Sequence, residues 1–193
     1  MWWAIGIGIV AIIIFLARRL AAARNHLQLV NSAQNQIRLS FMMYGEDFPS
    51  IDPNLWSNRY LLGFAQGTLM ILTHFFGSGL TTEQRGMVTV DTFKGLVGPQ
   101  YAVVCGAISE LHECADPDFK LGVVEGANVA ILMSNRPSAE LLANPDVQAA
   151  LRDAPLLGKL STQVLGSSSM QGTSSAGAAL MHIYIQRQVE SNS

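Results

Sequence analysis

The chain is short of charge. Asp, Glu, Lys and Arg make up 13 % of its 193 residues, about half the usual share. A domain that poor in charge is expected to bury surface against something besides its own core. Acid is absent from residues 1–45, which carry four arginines, while residues 46–193 have a balance of −6. An acidic domain with no basic cluster excludes nucleic acid as an expected partner. Cysteine is scarce too. Cys105 and Cys114 fall on one predicted helix and suit reduced cytoplasmic thiols better than a disulfide framework. There is no Cys-x-x-Cys-His, no phosphate-binding Gly-Lys-Ser/Thr and no strand leading into a serine elbow, so no catalytic, cofactor or metal motif is legible. The expectation is a non-enzymatic protein without a cofactor.

What is there begins with Trp2–Ala17, which has no charge. Sixteen residues rise about 24 Å as a helix, a little short of a hydrocarbon core of roughly 30 Å. Ile12, Ile13, Ile14 and Phe15 form its apolar end. Trp2 and Trp3 suit an interfacial belt, and Arg18 and Arg19 close the run and can snorkel. A cleaved signal peptide would need positive charge before the run rather than after it. Residues 1–17 therefore read as a signal anchor in a lipid bilayer. The arginines lie on the C-terminal side, which predicts a single-pass protein of a bacterial inner membrane, N-terminus outside and main domain cytoplasmic.

Residues 18–45 predict a continuous helix, since proline and glycine are absent from Arg18 to Tyr44. Leu16, Leu20, Ala23, Leu27, Val30, Gln34, Ile37, Phe41 and Tyr44 are spaced alternately by four and three, an unbroken heptad stripe. Gln34 is its single polar seat. The stripe either packs on the chain's own domain or forms an intermolecular coiled coil. Its flanks hold Arg19, Arg24 and Arg38 with no acid, so a homo-oligomer is disfavoured and an acidic foreign partner is preferred.

Residues 46–165 predict a helical domain. Asp52-Pro53 opens a helix to about Phe76. Residues 60–76 carry no formal charge, which fits a central bundle helix or, as the alternative, a second span of a small multi-pass protein. Thr81 to Gln84 form a capping box for a helix to about Val97, and Gly98-Pro99 breaks it. A helix over about Gln100–Cys114 follows. Asp116-Pro117 starts another to about Ser134. Ser138 and Asn144-Pro145 cap two short ones, and Leu156–Leu165 makes one more. Residues 166–177 read as a Gly/Ser-rich linker or loop. Residues 178–193 read as a C-terminal helix and tail, although alternation over 178–189 also allows a strand. The fold expected is all-α: a transmembrane helix, a long amphipathic helix, then a multi-helix cytoplasmic bundle.

Two stretches resemble each other, Gly63-Phe-Ala-Gln66-Gly67 and Gly122-Val-Val-Glu125-Gly126. Glycines four apart share a helix face and let backbones approach closely, so Gly63, Gly67, Gly122 and Gly126 are candidate crossing points. Leu20, Leu27, Val30, Gln34, Ile37 and Phe41 are the other candidate contact residues. For chemistry the strongest candidates are the Glu110-Leu-His112-Glu113-Cys114-Ala-Asp116 cluster, His74 on the Trp56–Tyr60–Gly63–Gly67–Met70 stripe, and Glu125. His112 lacks the helical spacing to either Glu that a metal site needs. Glu125, if buried, needs a partner or a raised pKa. A cofactor-binding bundle or enzyme built on these groups is a further alternative. The leading expectation is a membrane-anchored scaffold, adaptor or accessory subunit that binds other proteins.

Overall fold

A computed structural model describes residues 23–38, 56–77, 80–134, 137–152 and 173–191. Among these every regular element is helical. We label them α1 (23–38), α2 (Arg59–Phe76), α3 (Thr82–Val97), α4 (Tyr101–Glu113), α5 (Pro117–Met133), α6 (Ala139–Ala143), α7 (145–152) and α8 (Thr173–Ser191). No helix among the described residues is long and apolar enough to cross a membrane. The expected anchor, Trp2, Trp3, Ile12, Ile13, Ile14, Phe15, Arg18 and Arg19, lies outside the described residues, as do Leu20, Phe41 and Leu156–Leu165.

Local sequence accounts for most of the helix ends. The Thr81 hydroxyl accepts from the Gln84 amide and the Gln84 side chain accepts from the Thr81 amide, a complete capping box. The Asp116, Ser138 and Asn144 side chains cap α5, α6 and α7. Gly98 stops α3 at φ 61°. Between α4 and α5 the Asp116 amide donates to the Leu111 carbonyl and the Ala115 amide to that of His112. This is a Schellman closure with alanine, at φ 59°, where glycine is usual.

Two boundaries differ from expectation. The helix expected from Asp52-Pro53 begins at Arg59, where the Asn58 side chain accepts from the Leu61 amide; Asp52 lies outside the described residues. The stretch read as a linker to residue 177 is already helical from Thr173, and residues 178–189 form helix, not strand. Composition misleads there because α8 gains its stability from packing: Gly177 lies against Met133, and a Cβ added to it would overlap that side chain.

Helix α2 is the centre of the bundle, with Tyr60–Ala65, Gly67–Leu69, Leu72 and Thr73 all buried. Phe64 of this helix, and Phe93, Phe119, Ile37 and Tyr184 from its surroundings in the core, are among the largest fully buried side chains. The heptad stripe divides. Leu29, Val30, Ala33 and Ile37 turn α1 into the domain's own core, while Leu27 is 60 % exposed. The Gln34 amide donates to the Asp91 and Thr92 carbonyls of α3 at 3.4 Å, and His26 meets Asp91 at 2.9 Å. The polar seat therefore registers α1 against α3 within the chain.

Candidate functional site

The two glycine pairs face each other. A Cβ built on Gly63 would overlap the Phe119 carbonyl, and one on Gly67 the Val123 carbonyl. Reciprocally, Gly122 faces the Tyr60 carbonyl and Gly126 that of Phe64. Contact positions rise together along both helices, so α2 and α5 run parallel. Adding 59 to an α2 number gives its α5 counterpart, and each contact exchanges into another: Gly63 with Phe119 becomes Gly122 with Tyr60. The seam thus has a local two-fold. Helix glycine costs up to about 1 kcal/mol against alanine, and here the return is backbone approach that no side chain permits. Thr68 adds a hydroxyl bond to the Gly126 carbonyl at 3.3 Å.

On this seam sits the most unusual polar group of the domain. Glu125 is 6 % exposed. Its Oε2 accepts from the Tyr60 hydroxyl at 2.7 Å, and Arg187 of α8 stands 3.7 Å from Oε1. Arg187 also binds Asp146 of α7 at 2.7 Å and lies over the Tyr184 ring. The Tyr184 hydroxyl accepts weakly from Asn128 at 3.5 Å. Burial pushes the Glu125 carboxyl above its ordinary range, against the lowering effects of Tyr60 and then Arg187. Burial and the bond to Glu125 push the Tyr60 hydroxyl far up. Arg187, anchored by Asp146, stays charged. Four helices thus meet at one carboxyl. Glu125 is the acid the sequence singled out as needing a partner if buried, but Tyr60, Tyr184, Asn128, Asp146 and Arg187 were not foreseen around it. Asn128 is three after Glu125 on α5, a helical spacing, whereas the separations of Tyr60, Asp146, Tyr184 and Arg187 from Glu125 carry no periodic signal.

Elsewhere the candidates part company. Asp116 caps α5 through the Phe119 amide and pairs with Arg59 at 2.8 Å, which holds its carboxyl below the ordinary range. Glu110, His112, Glu113 and Cys114 are exposed. Glu110, Cys114, Arg59 and Asp116 line a shallow hollow of about 340 Å³, and no three His, Cys, Asp or Glu groups among the described residues could share a metal ion. The stripe on α2 is split: Trp56, Tyr60, Gly63 and Gly67 are buried, whereas Met70 and His74 are exposed, so it forms no single wall for a cofactor. Trp56 instead packs edge-on against Phe93. A groove of about 610 Å³ between α1, the end of α2 and Met133 has no titratable side chain in its lining. Cys105, half-buried, has its thiol raised by burial.

No family model, curated protein or solved structure matches the chain.

Proposed function

We propose that this chain is a non-enzymatic, membrane-anchored helical scaffold or accessory subunit, whose domain holds partner proteins at a bilayer. The observation that carries the reading is the number of large apolar side chains left in solvent by a charge-poor domain. Val103 is 75 % exposed, Leu27 60 %, Val124 56 %, Met87 54 % and Met70 53 %. These side chains stand on five different helices, and covering them with partner surface would remove apolar area from water. The charge-free run Trp2–Leu16 and its following arginines support anchoring, with the domain on the cytoplasmic side of a bacterial inner membrane. The buried carboxyl is consistent with a structural role: the groups gathered around it come from three other helices, and it lines neither described hollow.

Fractionation and crosslinking test this together. The full chain should stay with membranes through an alkaline wash, deletion of residues 2–17 should release it, and crosslinking in membranes should retain a partner. A full-length protein extracted as a monodisperse monomer with no crosslinked partner would overturn the reading.

A further inference from the structure

The groove beside α1 has two unlike walls. One is α1 itself, where Asn25, Gln28, Ser32 and Gln36 line it. They are spaced by three, four and four, so they stand one above another on a single helix face. Their side chains offer neutral hydrogen-bonding groups, one set per helical turn. The other wall is apolar, with Leu72 and Phe76 from the end of α2 and Met133 from the end of α5. At about 610 Å³ the groove falls in the size range of small-ligand sites. It suits an occupant that is apolar along one side and carries hydrogen-bonding groups along the other.

The chain that precedes α1 says which such molecule is at hand. The α1 wall starts at Asn25, six residues after Arg19. Whatever path the chain takes between them, six residues span at most about 22 Å. Along the helix that the sequence predicts for residues 18–45, the rise is about 9 Å. The anchor reading puts Arg18 and Arg19 at headgroup level, so it also holds this end of the groove beside the bilayer. Charge agrees. Arg24 is exposed and lies one turn before Gln28 on the same side of α1. Residues 1–45 carry four arginines and no acid, which attracts anionic headgroups.

Resting on the membrane-anchored reading, we propose that this groove takes an anionic phospholipid from the bilayer that holds the anchor. Leu72, Phe76 and Met133 receive an acyl chain. The side chains of Asn25, Gln28 and Ser32 donate to the ester carbonyls of the glycerol, and Arg24 meets the phosphate. A peptide segment would also suit the amides, but the bilayer is the surface that the anchor brings to this wall, and the arginines beside it favour phosphate. A lipid held between α1 and the ends of α2 and α5 gives the domain a second attachment, which fixes its tilt on the membrane as one anchor alone does not.

The test uses the full chain in vesicles of phosphatidylglycerol and phosphatidylcholine, with a phosphatidylglycerol probe that carries a photoactivated diazirine in one acyl chain. Peptide mass spectrometry reads the adduct sites. Adducts are expected at residues 72–76 and 133, besides those on the anchor. Ser32→Trp fills the groove from the α1 side and should lower the groove adducts about tenfold or more, leaving the anchor adducts unchanged. Val103→Trp, at an exposed site outside the groove lining, should change neither. If Ser32→Trp unfolds the domain, Gln28→Glu takes its place by setting a carboxylate beside the phosphate. Adducts confined to the anchor, or groove adducts that neither variant lowers, overturn the proposal and leave the anchor standing. So does equal labelling of the groove by the matching phosphatidylcholine probe. So does a groove found crosslinked to a partner's peptide or to another segment of this chain. Absence of adducts on the anchor as well removes the membrane reading itself.

Discussion

Tyr60 on α2 donates its hydroxyl hydrogen to Glu125 on α5 at 2.7 Å, whereas the counterpart of Tyr60 across the seam is Phe119, which has no hydroxyl, and the counterpart of Glu125 is Gln66, whose Oε1 is buried without a hydrogen-bond donor. The same geometry is thus satisfied once and left open once. Phe119→Tyr is the direct probe. It should close the second bond and raise stability by about 1 kcal/mol, read as a shift in the urea midpoint at constant slope. No gain would mean that the ring and the amide do not face each other as the two-fold requires.

The seam itself makes a prediction with two signs. Gly67→Ala and Gly126→Ala set a methyl group against backbone carbonyls that cannot rotate away, and each should cost about 1–3 kcal/mol or more. Gly106→Ala meets nothing within 4 Å and should stabilise by up to about 1 kcal/mol through helix propensity alone. Thermal unfolding of the three variants separates close packing from a generic intolerance of alanine.

Glu125 and Asp116 predict pH effects in separate windows. Burial raises Glu125 above its ordinary 4.5, so the folded protein keeps a proton that the unfolded chain releases. Its contribution is most favourable below 4.5 and falls as pH rises through the raised folded value. Asp116 behaves oppositely. The Phe119 amide and, less strongly, Arg59 hold it below its ordinary 3.8, so its contribution is in place above 3.8 and is lost as pH falls through the lowered folded value. Glu125→Gln should therefore flatten the upper limb and leave the acid limb alone. Urea titrations at a series of pH values read both.

On α1 the heptad stripe predicts a contrast between neighbours. Ile37→Ala should cost about 2–5 kcal/mol, as a buried large-to-small change does, since Ile37 is fully buried. Leu27→Ala, at a largely exposed site, should stay within about 0.5 kcal/mol. Equal costs would mean that Leu27 is also buried in the isolated protein.

Ala115→Gly should stabilise by about 1–2 kcal/mol, because alanine at φ 59° brings its Cβ too close to the following carbonyl. Differential scanning calorimetry of the pair checks it, and an unchanged midpoint would show the turn to be unstrained.

Much of this fold is written in local chemistry. Thr81 with Gln84, Asp116, Ser138 and Gly98 end helices where their side chains or backbone freedom dictate, and all were legible. The Gly63–Gly67 and Gly122–Gly126 pairs were legible as crossing faces, though not as each other's partners, because nothing in a linear pattern says which face meets which. The start of α8 was hidden. Thr173–Gly177 looks like linker by composition, and only the demand for small residues against Met133 explains it as helix. Gln34 was legible as a register device but its partner was not, since a stripe of 3.5-residue period does not declare whether it faces its own chain. The node at Glu125 was out of reach for the same reason: its partners come from α2, α7 and α8, brought together by tertiary contact alone.

The parallel course of α2 and α5 has a kinetic consequence. Two consecutive helices in a hairpin can zip up from their turn, but the glycine contacts join residues 56 to 62 positions apart. The entropy of closing so long a loop is incurred before any contact in the seam offsets it. The central pair is therefore expected to close later than the local contacts between α3 and α4.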